Sequence, residues 1–144
     1  MSGGPLTQNV HGTVVALDAE RGVLLIGPSG AGKSSLALHL MAFGARLVSD
    51  DRTDLRVESG ALIASAPVAI AGQIEARGVG ILAADALAFA KVVLVVDMSR
   101  AEVDRLPPER VTELCGVRVP LVLHVQKPHF VPAIVQYLKA GRVA

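Results

Sequence analysis

Three features of the chain predict an α/β domain with a central mixed β-sheet flanked by helices. A short apolar run, Gly22-Val23-Leu24-Leu25-Ile26, passes through a glycine-rich turn into a helix-forming stretch over residues 33–41. Further apolar runs of strand length recur down the chain. The 144 residues, 51% of them hydrophobic, suffice for one good core and point to a single domain.

Residues 1–9 are polar and contain Gly and Pro, which reads as a loose start before one domain over 10–144. Strands over 13–17 and 23–26 flank Asp18-Ala19-Glu20-Arg21-Gly22, a hairpin turn. The helix that follows the glycine-rich turn meets a stop at Phe43-Gly44, and Arg46-Leu47-Val48-Ser49 forms a strand ending at Asp50-Asp51. Leu55-Arg56-Val57-Glu58 and Ala61-Leu62-Ile63-Ala64 alternate around Ser59-Gly60 as a second hairpin would. Residues 92–96 and 120–125 are buried-strand candidates, and a last helix covers 132–139 with Gly141 beyond it.

The turn itself reads Gly27-Pro28-Ser29-Gly30-Ala31-Gly32-Lys33-Ser34, the G-x-x-x-x-G-K-S spacing of a P-loop, so the fold narrows to a P-loop domain. Its glycines let backbone amides turn inward, and the following helix adds its dipole and free N–H groups to the same anion site. Lys33 is placed to reach the outer phosphates of a nucleotide, and the Ser34 hydroxyl to hold the magnesium ion that bridges them. Such a site also needs an acid. Val92-Val93-Leu94-Val95-Val96-Asp97 is an apolar strand ending in one, and Asp50-Asp51 is the rival. Adjacent strand residues face opposite ways, so both Asp50 and Asp51 reach one site only if the backbone turns between them.

Composition excludes several classes. A formal net charge of +1 and 3% aromatic residues argue against a nucleic-acid partner. The single Cys115 forms no intrachain disulfide and has no evident activating neighbour. No apolar stretch is long enough to span a bilayer, and no basic segment followed by an apolar run begins the chain, so a soluble cytoplasmic protein is expected. His39, His124 and His129 lack metal-ligand spacing. Taken alone, His11 reads as a surface or packing histidine, and Glu75 with Arg77, two apart, as an ion pair on one face of an extended segment.

The succession His11-Gly12, the P-loop, Arg46-Leu47-Val48-Ser49-Asp50-Asp51 and Gln73-Ile74-Glu75-Ala76-Arg77-Gly78-Val79-Gly80-Ile81 resembles the catalytic domain of bacterial HPr kinase/phosphorylase. The resemblance continues weakly through Asp104-Arg105-Leu106 and Gly116-Val117-Arg118-Val119-Pro120. It implies an ATP- and Mg2+-dependent enzyme that phosphorylates a serine of the phosphocarrier HPr and, in many members, removes the phosphate by phosphorolysis. By motif position it implies Asp50 as the acid/base, Asp51 and His11 as its orienting partners, and Glu75 as the carboxylate that joins Ser34 on magnesium. Arg105 is the implied stabiliser of charge on the transferring phosphoryl group, which leaves Asp97 a structural strand end. The family's separate N-terminal domain has no counterpart in these residues. After Val119-Pro120 the chain reads Lys127-Pro128-His129-Phe130-Val131-Pro132, where the family carries a proline-glycine-arginine-asparagine element. The implied protein is a short form, with an apolar excess that suits a homo-oligomer. A nucleotide-dependent regulatory module without turnover and a small-metabolite P-loop kinase stand as alternative readings.

Overall fold

A computed structural model of the chain describes residues 6–144. Ten strands and two helices follow one another as β1 (Thr7–Ala16), β2 (Gly22–Ile26), α1 (Lys33–Ala42), β3 (Arg46–Ser49), β4 (Arg52–Glu58), β5 (Ala61–Ser65), β6 (Gln73–Ala76), β7 (Gly80–Ala83), β8 (Ala90–Ala101), β9 (Arg110–Leu114), β10 (Val117–His124) and α2 (Phe130–Ala140). A single 3-10 turn lies at Val68–Ile70.

The mixed sheet is present, but the expected alternation of strands and helices is not. The domain is mostly β, and this corrects the α/β expectation. Turn chemistry supplies the reason. Ser59-Gly60 and Cys115-Gly116 each hold two successive residues at positive φ (50° and 77°, 51° and 77°), the tight hairpin geometry that matches strand twist. These turns send the chain straight back, where an α/β fold would insert a crossover helix.

In the main sheet β2 runs parallel to β8 and β8 parallel to β10, with β1 antiparallel to β2 and β9 antiparallel to β10. β3 pairs with the other edge of β1. A second set of antiparallel pairings links β1 to β4, β4 to β5 and β5 to β8, so strands 2, 1, 4, 5 and 8 close a ring. Length makes this possible. β1 gives residues 7–11 to β4 and residues 12–16 to β2, while β8 pairs with β5 near Ala90 and with β2 further on. β6 and β7 form a separate two-stranded hairpin.

Side chains alternate between two cores, as the strand period of two requires. Val15, Val23, Leu25, Leu94 and Val96 face the helices, where Leu36 and Leu40 of α1 and Ile134 and Leu138 of α2 pack on them. Val14, Leu24, Leu55, Leu62 and Val95 fill the space between the two sheets. Both faces of β2 and β8 are therefore covered, which is why they read as unbroken apolar runs. Each fully buried Leu or Val side chain contributes roughly 1.5–3 kcal/mol over an exposed one.

The loose start expected over residues 1–9 gives way at Thr7. Thr7 to Asn9 pair with Arg56 to Asp54 of β4, and Asn9 Nδ2 donates to Asp54 Oδ1 at 2.8 Å. Their polar side chains suit an exposed ladder as well as a loop. Residues 1–5 of that expectation lie outside the described residues. α2 starts at Phe130 rather than Pro132, because a proline within the first helical turn sacrifices no intrahelical hydrogen bond. No helix among the described residues is long and apolar enough to cross a membrane.

Candidate functional site

The glycine-rich loop joins the end of β2 to α1, with Gly27, Gly30 and Gly32 at φ of 150°, 86° and 96°. A Cβ on Gly27 would sit 3.1 Å from Ala31 Cβ and 3.2 Å from Met98 Cβ, so this glycine meets both a backbone and a packing demand. Gly32 caps α1 without a side-chain bond, and the first-turn amides of α1 remain available to an anion. Lys33 is buried, its Nζ donating to the carbonyls of Gly27 at 2.7 Å and Pro28 at 3.1 Å.

Asp50 and Asp51 occupy the corner where the chain leaves β3 for β4, both of which pair with β1. Asp51 has φ +70°, so the backbone does turn between the two acids. Asp50 is 7% exposed. Its Oδ1 accepts from Ser34 Oγ at 2.6 Å and Thr13 Oγ1 at 3.1 Å, and its Oδ2 accepts from the Glu75 amide at 3.0 Å. Thr13 Oγ1 also accepts from the Asp51 amide at 3.0 Å, one hydroxyl thereby fixing both acids. Asp51 turns outward with its side chain 62% exposed, and Oδ1 accepts from His11 Nε2 at 2.7 Å. A continuous line of hydrogen bonds thus runs from the P-loop serine through Asp50, Thr13 and Asp51 to His11.

The β6–β7 hairpin overhangs this corner. Ile74 anchors it in the helix-side core, while Glu75 and Arg77 reach the solvent side. Between hairpin and loop lies a cleft of about 490 Å³, lined by Ser29, Gly30, Lys33, Ser34, Glu75 and Arg77 among others. It adjoins a second cavity of about 340 Å³ that includes Asp50, Asp51 and Arg52. Gly78 (φ 82°) serves the hairpin turn, and no Glu75–Arg77 ion pair forms.

Arg105 is exposed and is not among the residues lining either cavity. Two participants escaped sequence reasoning. Arg77 lines the cleft where Arg105 was expected, and its place beside Glu75 in the β6–β7 turn was the available signal. Thr13 is fully buried, and a polar residue inside an apolar strand was its signal.

Asp97 pairs in register with Ile26 but spends its carboxylate on its own turn, accepting from Ser99 N at 2.9 Å, Ser99 Oγ at 2.6 Å and Arg100 Nε at 3.1 Å. Burial pushes its carboxyl upward, yet the Ser99 and Arg100 bonds outweigh that and hold it below the ordinary value. Cys115 is buried in the hairpin turn, where desolvation pushes its thiol up, the opposite of an activated nucleophile.

Among the described residues no three His, Cys, Asp or Glu side chains converge as a ready-made metal site. The oxygen-bearing side chains of Ser34, Asp50 and Glu75 line one cavity, a donor set whose chemistry fits a hard cation that keeps part of its coordination for phosphate oxygens and water.

Residues 5–136 match the HPr Serine kinase C-terminal domain family. The HPr kinase/phosphorylase of Lactobacillus acidophilus is 34% identical over 127 residues, covering 79% of this chain and 39% of that protein. That of Clostridium botulinum is 44% identical over 73 residues, covering 51% and 24%. The chain thus spans well under half the length of these curated relatives. The structure of the Hpr(Ser) kinase/phosphatase from Coxiella burnetii superposes with a TM-score of 0.75 at 29% identity, covering 92% of this chain and 93% of that one. With its P-loop, paired aspartates and Glu75 hairpin in one cleft, the chain belongs to the HPr kinase C-terminal domain family.

Proposed function

We propose that this chain is an ATP- and magnesium-dependent protein-serine kinase whose substrate is HPr or an HPr-like phosphocarrier, acting also in the reverse, phosphorolytic direction. The observation that carries the reading is the hydrogen-bonded line from Ser34 to His11, which ties a phosphate-binding loop to an acid pair at the mouth of the cleft.

The loop amides and the α1 N-terminus hold the phosphates, and Lys33 exchanges its two carbonyl partners for their oxygens. A magnesium ion held by Ser34 and Glu75 would neutralise charge on the outer phosphates. Geometry favours a division of labour between the aspartates different from the one the resemblance implies. Asp50 is buried and already accepts three hydrogen bonds, which suits orienting Ser34 and the cation. Asp51 is open to the cleft with one oxygen held by His11, which suits it to accept the serine proton as the oxygen bonds the γ-phosphorus and the bond to the leaving ADP breaks. In phosphorolysis inorganic phosphate bonds the phosphoserine phosphorus, the serine O–P bond breaks, pyrophosphate is the product and the same carboxyl returns the proton to the serine oxygen. Arg77, rather than Arg105, is placed to steady the transferring phosphoryl group.

Val79 and Ile81 of the hairpin are exposed beside the cleft, an apolar rim that suits a protein substrate better than a small metabolite. The test incubates the protein with Mg2+, labelled ATP and HPr-type carriers and locates any phosphate by mass spectrometry. Phosphoserine on the carrier, abolished in a folded Lys33→Ala variant, is the expected result. Tight ATP binding without transfer would overturn the kinase and favour a regulatory module.

A further inference from the structure

The cavity of about 340 Å³ beside the acids draws its polar lining from three places: Ser29 and Ser34 of the phosphate loop, Glu75 of the β6–β7 hairpin, and Asp50, Asp51 and Arg52 at the corner between β3 and β4. Its carboxylates face one cation, Arg52, because Lys33 and Arg77 line the neighbouring cleft and not this cavity. Arg52 opens β4 directly across from His11 of β1, so the two side chains share the sheet face that carries the site. Its backbone is fixed, the amide donating to the Asp50 carbonyl at 2.8 Å and the carbonyl accepting from Ser49 Oγ. Its side chain is not: it is exposed, and among the described residues no ion pair engages the guanidinium, although three carboxylates line the same cavity.

We infer that Arg52 is a specificity-determining residue that reads the phosphorylated form of the acceptor, its guanidinium binding the phosphate of the phosphoserine on the acceptor side of the site. The inference rests on the protein-serine kinase reading and adds which side chain tells the phosphoprotein from its serine form. A serine hydroxyl entering the cavity is neutral and needs no cation. Once its oxygen has bonded the phosphorus and the bond to ADP has broken, the acceptor carries a charge of about −1.5 to −2 and three strong acceptor oxygens. It then stands among Asp50, Asp51 and Glu75, where like charge opposes it.

Arg52 offsets that opposition. Lys33 and Arg77 belong to the donor cleft, which leaves Arg52 as the cation on the acceptor side, and a planar guanidinium takes two phosphate oxygens at once. The phosphoryl group thus passes from a cleft lined by Arg77 to a cavity lined by Arg52. In the phosphorolytic direction the same contact seats the phosphoserine for attack.

The test compares binding of an HPr-type carrier bearing serine with the same carrier bearing phosphoserine at that position, in the presence of Mg-ADP, which fills the phosphate loop. The native chain, Arg52→Gln and Arg52→Lys are measured side by side, with thermal melting to confirm folding. Arg52→Gln should lose about tenfold or more in affinity for the phosphoserine form and less than about twofold for the serine form, the scale of a hydrogen-bonded contact to a charged group. Arg52→Lys, which keeps the charge without the fork, should fall between the two. Unchanged affinity for the phosphoserine form in Arg52→Gln overturns the inference alone. So does an equal loss for both forms, which would make Arg52 a contact to an acidic flank of the carrier. A native chain that binds neither form overturns the carrier-kinase reading beneath it, and the inference with it.

Discussion

Replacing Thr13 by valine keeps shape and volume while deleting one hydroxyl that serves both aspartates, so it isolates what that hydroxyl contributes. Thr13 is fully buried; it donates to Asp50 Oδ1 at 3.1 Å and accepts from the Asp51 amide at 3.0 Å. A hydrogen bond to a charged group contributes roughly 1.5–3 kcal/mol, and a buried amide left without a partner costs about 1–3 kcal/mol. Asp51 is partly exposed and water can replace part of the second loss, which brings the expected destabilisation to roughly 2–4 kcal/mol. For a chain of this size that corresponds to a fall in Tm of about 4–15 °C. Thr13→Ser retains both bonds and loses one methyl, a change of about 1 kcal/mol. Thermal and urea denaturation of the three proteins decides the matter. Transfer should fall in Thr13→Val more than nucleotide affinity does, because Asp51 loses its anchor while the loop is untouched. If the valine variant melts with the serine variant, within about 1 °C, the bridging hydroxyl contributes nothing net and the reasoning fails.

Other outcomes follow from the same geometry. Asp51→Asn should abolish transfer and leave Mg-ATP affinity within about threefold, whereas Asp50→Asn should weaken both; calorimetry beside a transfer assay separates them, and equal losses would return the proton-accepting role to Asp50. Arg77→Ala should cut transfer by roughly 10²-fold, the scale of losing one charge-stabilising donor, while Arg105→Ala should change it less than twofold; the reverse ranking would favour Arg105. Asp97 is held below its ordinary value of 3.8, so its stabilisation is fully present above that value and is lost as pH falls through the lowered folded value. Acid denaturation curves should therefore be flatter for Asp97→Asn at the acid end, and superimposable curves would remove the assigned cause.

Local chemistry announced much of this molecule. The β1–β2 hairpin, the P-loop, α1 with its stop at Phe43-Gly44, β3 and the β4–β5 hairpin each carry their own signal in apolar period and turn residues. β9 carries little, since Arg110, Thr112 and Glu113 make it half polar, and its turn places a cysteine where glycine or asparagine is usual. The mixed sheet and the family fold were legible, but the expected alternation of strands and helices was not met, because apolar runs report that both faces are covered, not what covers them. Here one cover is a second sheet. In the site, the loop and the acids were visible as motifs. The places of Thr13 and Arg77 depend on strand register and on the path of a hairpin, which are properties of pairings 25 to 40 residues apart rather than of neighbours.

Because β1 pairs with β2, β3 and β4, it connects the strand feeding the phosphate loop to both strands that bracket the acids. His11, Thr13 and Val15 share one face of it, two of them polar ends of the site and one a core anchor. Deleting His11 would leave Gly12 and Thr13 seated and bring Val10 into its place, whereas a deletion between Thr13 and Ala16 would exchange the faces of everything before it. Deletions scanned along this one strand should therefore divide sharply: loss of His11 silences chemistry in a folded domain, and deletions after Thr13 prevent the domain from closing.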